Sequence, residues 1–297
     1  MADSASVDID GRVVRLTNLT KVLYPEVGFT KGDVIGYYNA VAAVMLPHIA
    51  GRALTFKRFP NGVDGSSFFE KNRPSHAPDW IGEVDAPGGV RSCVFDHRAA
   101  LVWAGNQAAL EIHAPMAKAT ALDTPTILVF DLDPGAPAGI AECAQVALWM
   151  REVLDSVGLA GWAKTSGSKG LQVYVPLNNP DSTHEHASSF ALAVGQLLER
   201  QHPGKVLVEM TKAKRHGKVF VDWSQNNRAK TTIGVYSLRA RSHPTVSTPV
   251  SWDEVAAASD GAALSFGADE VVARIEQMGD LFAEVATRVQ HLPGPAA

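Results

Sequence analysis

The chain has little cysteine: Cys93 and Cys143 stand alone among 297 residues. With no C-x-x-C pair and no histidine cluster at ligand spacing, neither a disulfide framework nor a structural zinc site is supported. No apolar run approaches the roughly 18 residues that a membrane helix needs. The first thirty residues, opening "MADSASVDIDGRVVRL", lack an apolar signal core, so a cytoplasmic protein with no membrane partner is expected. Positive charge is not in excess either. The net charge of −4 excludes a uniformly basic nucleic-acid coat but leaves local patches open. There is no internal repeat, no low-complexity linker and no G-x-x-x-x-G-K-[ST] phosphate loop. What remains is 46% hydrophobic and 20% charged, the balance of a globular protein with room for one large domain or two packed modules.

The chemistry begins at "ILVFDLDPG", Ile127 to Gly135, where four apolar residues run into two aspartates one position apart. Strand side chains alternate with period two, so Asp131 and Asp133 project from one face while Leu132 points to the other. Like charges that close repel, and such a pair usually has a helix N-terminus, a basic group or a metal cation beside it. A strand end entering an Asp-Pro-Gly turn explains the same letters without chemistry. A second apolar run, "GKVFVDW", ends the same way in Asp222. If the two strands are neighbours in one sheet, three carboxylates meet. That geometry suits divalent metals, with two ions about 3.5–4 Å apart clamping the attacking and leaving oxygens of a phosphoryl transfer.

Asp222 also lies inside a basic stretch. Between Lys205 and Arg241 the chain carries nine Lys or Arg against Glu209 and Asp222, a local balance of +7 suited to holding phosphates. "AKTSGSKGLQVYVPL" adds a small-residue loop entering an alternating strand. Its Ser166, Gly167, Ser168, Lys169 and Gly170 offer N–H groups, hydroxyls and an ammonium to a polyphosphate, although a Gly/Ser hairpin turn accounts for them equally. Around these motifs the pattern predicts a helix from Gly32 to His48 capped by Thr30, and a strand over 53–59. A strand over 127–131, a helix near 139–157, a strand at 171–176, a helix near 183–200 and strands near 206–210 and 218–223 follow. Helical patterns come last, near 251–259 and 268–290. The middle order reads as β-α-β-β-α-β, a ferredoxin-like or RNA-recognition-type module.

Taken together, "LEIHAPMA", "ILVFDLDPG", "TSGSKGLQVYVPL", "TKAKRHGKVFVDWSQNNRAKTTIGVYSLRAR" and "HPTVSTPVSWDEV" closely resemble the polymerase domain of bacterial ligase D, in the archaeo-eukaryotic primase superfamily. The likeness runs from "LTNLTKVLYP" to the C-terminal helices. It implies an α/β (α+β) primase-polymerase fold over 1–297. An N-terminal mixed module to about 123 would pack against an RNA-recognition-type catalytic sheet over about 124–250, with C-terminal helices over about 251–290. It also implies template-directed nucleotidyl transfer at DNA ends and gaps during non-homologous end joining. It further implies a preference for ribonucleotides, NTP or dNTP as substrate, and Mn2+ or Mg2+ in a two-metal site.

The same resemblance makes Asp131, Asp133 and Asp222 the metal-binding catalytic triad. It assigns His113, Ser166, Lys169, Gly170, Arg215 and Arg239 to the incoming nucleotide. Phe68 and Phe69 match an aromatic pair that stacks on the template, a use of aromatic faces that needs no base sequence. Lys21 and Lys31 match positions holding a 5′-phosphate, so the implied partners are DNA with gaps or 3′ overhangs bearing that phosphate, together with Ku and a DNA ligase. One departure stands out: "HAPMAKATALDTP" lacks the tryptophan usual after that histidine. The sequence ends at "HLPGPAA", so any phosphoesterase or ligase domain is expected to be absent or to have been separated from this chain. Two rival readings are a metal-dependent phosphatase and a catalytically silent DNA-end scaffold. The phosphatase pattern wants Thr or Val where Gly135 stands, and the silent scaffold has no need of three aspartates.

Overall fold

The computed structural model describes residues 4–86 and 88–294. They collect into two compact units, each discontinuous in sequence. One comprises the residues up to Pro115 with Ile233–Ser247 and Phe266–Asp280. The other comprises Met116–Thr232, Thr248–Ser265 and the residues from Leu281 onward.

In the first unit, Thr30 caps the helix Lys31–Ala40 through a reciprocal box: its hydroxyl accepts the Asp33 N–H, and the Asp33 carboxylate accepts the Thr30 N–H. The single helix expected over 32–48 is two, because the chain bends at Val41 before Ala42–Ile49. The strand Thr55–Arg58 is narrower than 53–59. It lies between Phe68–Glu70 and Ala109–Pro115, antiparallel to both. Tyr37 and Tyr38 fill the core beside these strands, and each buried phenol donates to a carbonyl, Tyr236 O and Leu110 O, at 2.8 Å. The helix Arg98–Asn106 is buried from Ala99 to its end, which its run of apolar residues on every side allows.

The second unit is built on a six-stranded sheet. Its order is Val206–Leu207, Val219–Asp222, Ile127–Pro134, Leu171–Pro176, Trp162–Thr165, Pro249–Val250. The four middle strands are antiparallel and follow the 4-1-3-2 order of the expected β-α-β-β-α-β module, although its second strand, Trp162–Thr165, was not among the strands expected. The helices Ile140–Ser156 and His184–Gln201 bury Cys143, Ala147, Met150 and Leu154, and Ala187, Ala191, Val194 and Leu198, at helical spacing. Gly195 permits that packing, since a Cβ there would press on Val208. The strand expected over 206–210 is only two residues long, and the one expected to stop at 131 continues through Asp133. The helix Trp252–Ser259 sits where expected, started by a Ser251–Glu254 box. The pattern over 268–290 is a helix only to Met278. Gly279 takes φ +69° and ends it, and a single 3-10 turn, Ala283–Ala286, follows. Among the described residues no helix is long and apolar enough to cross a membrane.

Candidate active site

Antiparallel pairing sets Asp131 directly opposite Asp222, and Asp133 opposite Phe220. Opposed residues project to one face, and Asp133 is two positions from Asp131, so the three carboxylates share that face. Leu132, between them, is fully buried on the other. The row continues across the sheet: Asp131 opposes Gln172, and Gln172 opposes Lys164. Lys164 has no exposed surface at all, and its Nζ lies 5.3 Å from the centre of the Tyr174 ring. Burial pushes the Asp131 carboxyl well above the usual carboxylate range, and the Asp133 charge adds to the effect. The Gln172 hydrogen bond and the Lys164 charge pull it back, while Asp222 pushes it up again.

Among the described residues no three His, Cys, Asp or Glu side chains are gathered as a closed metal-ligand set. Asp222 is engaged locally. Its Oδ1 accepts the Ser224 N–H at 3.0 Å and the Ser224 hydroxyl at 2.6 Å, and its Oδ2 accepts Gln225 Nε2 at 3.2 Å, so the carboxylate caps its own 3-10 turn. The donor set itself fits a hard cation: it consists of carboxylate oxygens on one face, of the kind Mg2+ and Mn2+ take.

Arg215 is held at the same strand end. Its Nη1 lies 3.8 Å from Asp133 Oδ2, Nη2 donates to Met210 O at 3.2 Å, and the guanidinium stacks 3.8 Å above the Phe220 ring. Gly135 makes that approach possible. Its N–H donates to Lys218 O and its carbonyl accepts from Gly217 N, and a Cβ at this position would overlap the Arg215 carbonyl. The Ser166–Gly170 loop is the turn of a hairpin between Trp162–Thr165 and Leu171–Pro176. Ser166 Oγ accepts the N–H groups of Ser168 and Gly170 at 3.2 and 3.1 Å, so both donors close the turn. Lys169 is exposed at its tip, and Gly170 packs where a Cβ would overlap Leu132 O, between the two strand aspartates.

In the first unit His113 and Arg239 converge on a residue the sequence reading passed over. Glu111 is 5% exposed. Its Oε2 lies 3.0 Å from His113 Nε2, and its Oε1 accepts Arg239 Nε and the Ala240 N–H, each at 3.2 Å. Burial raises the carboxyl, but the His113 hydrogen bond and the Arg239 charge outweigh it and hold Glu111 at about 2. Alternation was the available signal, since Glu111 and His113, two apart on a strand, share a face. Phe69 meets His113 edge-on at 5.8 Å. Glu111 and Phe69 thus both contact the His113 ring.

Phe68 and Phe69 are both exposed, 46% and 57%, so neither is core packing. Neighbours on a strand face opposite ways: Arg58 stacks on Phe68 at 5.3 Å and Lys57 on Phe69 at 5.6 Å. Lys21 is exposed and donates to Asn61 Oδ1 at 3.0 Å. Lys31 is buried, with Nζ donating to Thr17 O at 2.6 Å. Burial, with the Lys21 and Arg58 charges, lowers its ammonium to about 8.

The thirteen expected residues thus fall into one cluster in each unit, with Lys21 and Lys31 forming a further basic pair in the first. The sequence pattern described as "LigD, primase-polymerase domain" matches residues 30–282. The multifunctional non-homologous end joining protein LigD of Mycolicibacterium smegmatis is 46% identical over 275 residues, 91% of this chain and 36% of that protein. The bifunctional LigD of Bacillus subtilis is 32% identical over 280 residues, 94% of this chain and 45% of that protein. The chain therefore spans less than half the length of these curated relatives. A solved structure of the polymerase domain of Mycobacterium tuberculosis ligase D in complex with DNA superposes with a TM-score of 0.87 at 43% identity. It covers 93% of this chain and 99% of that one.

Proposed function

Since the chain belongs to the LigD primase-polymerase domain family, we propose that it is a template-directed polymerase that adds nucleotides to DNA ends and gaps in double-strand break repair by non-homologous end joining. The observation that carries the reading is the register of the second unit's sheet, which sets Asp131 against Asp222 with Asp133 on the same face. Divalent cations, Mn2+ or Mg2+, held as a pair by these three carboxylates would neutralise charge on the phosphoryl group being transferred. The chain's own residues do the rest. Arg215, Lys169, His113 and Arg239 supply positive donors to the triphosphate, and Ser166 shapes the turn that carries Lys169 and Gly170. Phe68 and Phe69 stack on template bases, while Lys21 and Lys31 take the 5′-phosphate on the far side of a gap. Ku and a DNA ligase are the partners that this role calls for.

Ribonucleotides are the preferred substrate. A polar group that bonds the 2′-hydroxyl is left unpaired by a deoxy analogue, which is the cost that discriminates the two sugars. The test is incorporation of a single nucleotide into a gapped, 5′-phosphorylated duplex with Mn2+, offering NTP and dNTP in competition. Templated addition favouring the ribonucleotide supports the reading. Release of inorganic phosphate from a monophosphate without extension replaces it with the phosphatase.

A further inference from the structure

The clasp around Glu111 carries an inference beyond these roles, and it rests on the reading of His113 and Arg239 as triphosphate contacts. We propose that Glu111 is the positioning residue of the nucleotide site, a single buried carboxylate that orients His113 and Arg239 together. The geometry leaves little alternative use for it. At 5% exposure a carboxylate must be paired and hydrogen-bonded, and Glu111 has three donors: His113 Nε2, Arg239 Nε and the Ala240 backbone N–H. Both of its oxygens are engaged by these donors.

The carboxylate restrains both of its partners. Its contact with Nε fixes the plane of the Arg239 guanidinium relative to Glu111. Engaging His113 through Nε2 fixes the ring and presents the opposite edge, Nδ1, while Phe69 limits rotation from the side. The strands make the clasp rigid: Glu111 opposes Lys57, and Lys57 opposes Phe69, in one three-strand row. Two side chains that would otherwise sample other rotamers are ordered before the nucleotide arrives, which is how a remote carboxylate acts on ground-state binding.

The test uses the full chain and steady-state extension of a gapped, 5′-phosphorylated duplex with a ribonucleoside triphosphate and Mn2+. Glu111→Gln keeps the shape and removes the charge. It is expected to raise KM for the nucleotide about 10–100-fold, the loss typical of a partner that orients a ligand, with kcat changed less than about threefold. Glu111→Asp, which restores the charge on a shorter arm, recovers part of the loss. A cycle with His113→Ala separates positioning from mere stability. If Glu111 acts through His113, Glu111→Gln costs much less in the His113→Ala background, whereas a structural role adds fully. Full additivity, or a kcat loss with KM unchanged, overturns the proposal. If wild type extends and His113→Ala and Arg239→Ala both match it, the assignment of those two residues is what fails, and Glu111 falls with it.

Discussion

Asp133 and Arg215 are joined across Gly135: the guanidinium reaches the carboxylate at 3.8 Å because the residue between the strand and the basic loop has no side chain. A methyl at this position has nowhere to go but into the Arg215 carbonyl. Gly135→Ala is therefore expected to destabilise the protein by about 2–3 kcal/mol, the usual cost of forcing extra atoms into a packed site. It should also displace the 212–218 loop. Denaturant midpoints for the two proteins check it, and equal midpoints contradict it.

Glu111 sets an acid limit on the first unit. Its carboxyl is raised by burial but pulled down further by His113 and Arg239, to about 2 from an ordinary 4.5. A depressed acid contributes stability above its unfolded value and loses that contribution as pH falls through its folded one. The contribution is thus full above pH 4.5 and gone near pH 2. At about 1.4 kcal/mol per unit, its ceiling is about 3 kcal/mol. The stability gap between wild type and Glu111→Gln should be widest at pH 6 and shrink by pH 3. A gap that ignores pH argues against the clasp.

Phe68 and Phe69 separate two effects that adjacent residues usually blur. Loss of either ring should weaken binding to single-stranded template by about 1–3 kcal/mol, the worth of one aromatic–base stack. Only Phe69 touches His113, whereas Phe68 rests on Arg58. Phe69→Ala should therefore also raise KM for the nucleotide while Phe68→Ala leaves it alone. Anisotropy on gapped DNA and steady-state kinetics read the two effects independently, and identical kinetic profiles would refute the distinction.

On the role proposed for Lys31, recognition of the 5′-phosphate should be sensitive to pH. Its ammonium is lowered to about 8 by burial and by Lys21 and Arg58, so the charge is present below pH 8 and is lost as pH rises through that value. Preference for phosphorylated over hydroxyl ends should decline from pH 7 to pH 9, and Lys31→Arg, which keeps its charge, should flatten the decline. Lys21→Ala should reduce the slope of log affinity against log salt by about one unit. A preference constant across this range places the phosphate elsewhere.

Much of this was legible in the letters. Period-two alternation put Asp131 and Asp133 on one face before any neighbour was known, and Thr30 marked the start of the helix that follows it. Other parts obey longer-range physics. The strand Trp162–Thr165 was hidden because Lys164 looks like a surface residue, and only its place beside Gln172 buries it. Glu111 was passed over because an acid amid apolar residues gains its meaning from Arg239, 128 positions away. The division into units was illegible for a similar reason: Ile233–Ser247 and Phe266–Asp280 belong to the first unit although they follow most of the second in sequence. The helical pattern past Met278 misled because amphipathic spacing continues while Gly279 turns the backbone.

The account stands on the three aspartates, and one comparison tests them most directly. Wild type, Asp131→Ala and Asp133→Ala are measured for nucleotide addition to a gapped, 5′-phosphorylated duplex with Mn2+, and for affinity to the same duplex without nucleotide. The predicted result is addition by wild type, a loss of about a thousandfold or more in each variant, and DNA affinity within about threefold of wild type. Addition by either variant within about tenfold of wild type, only about 1.4 kcal/mol of barrier, would contradict the metal-binding assignment.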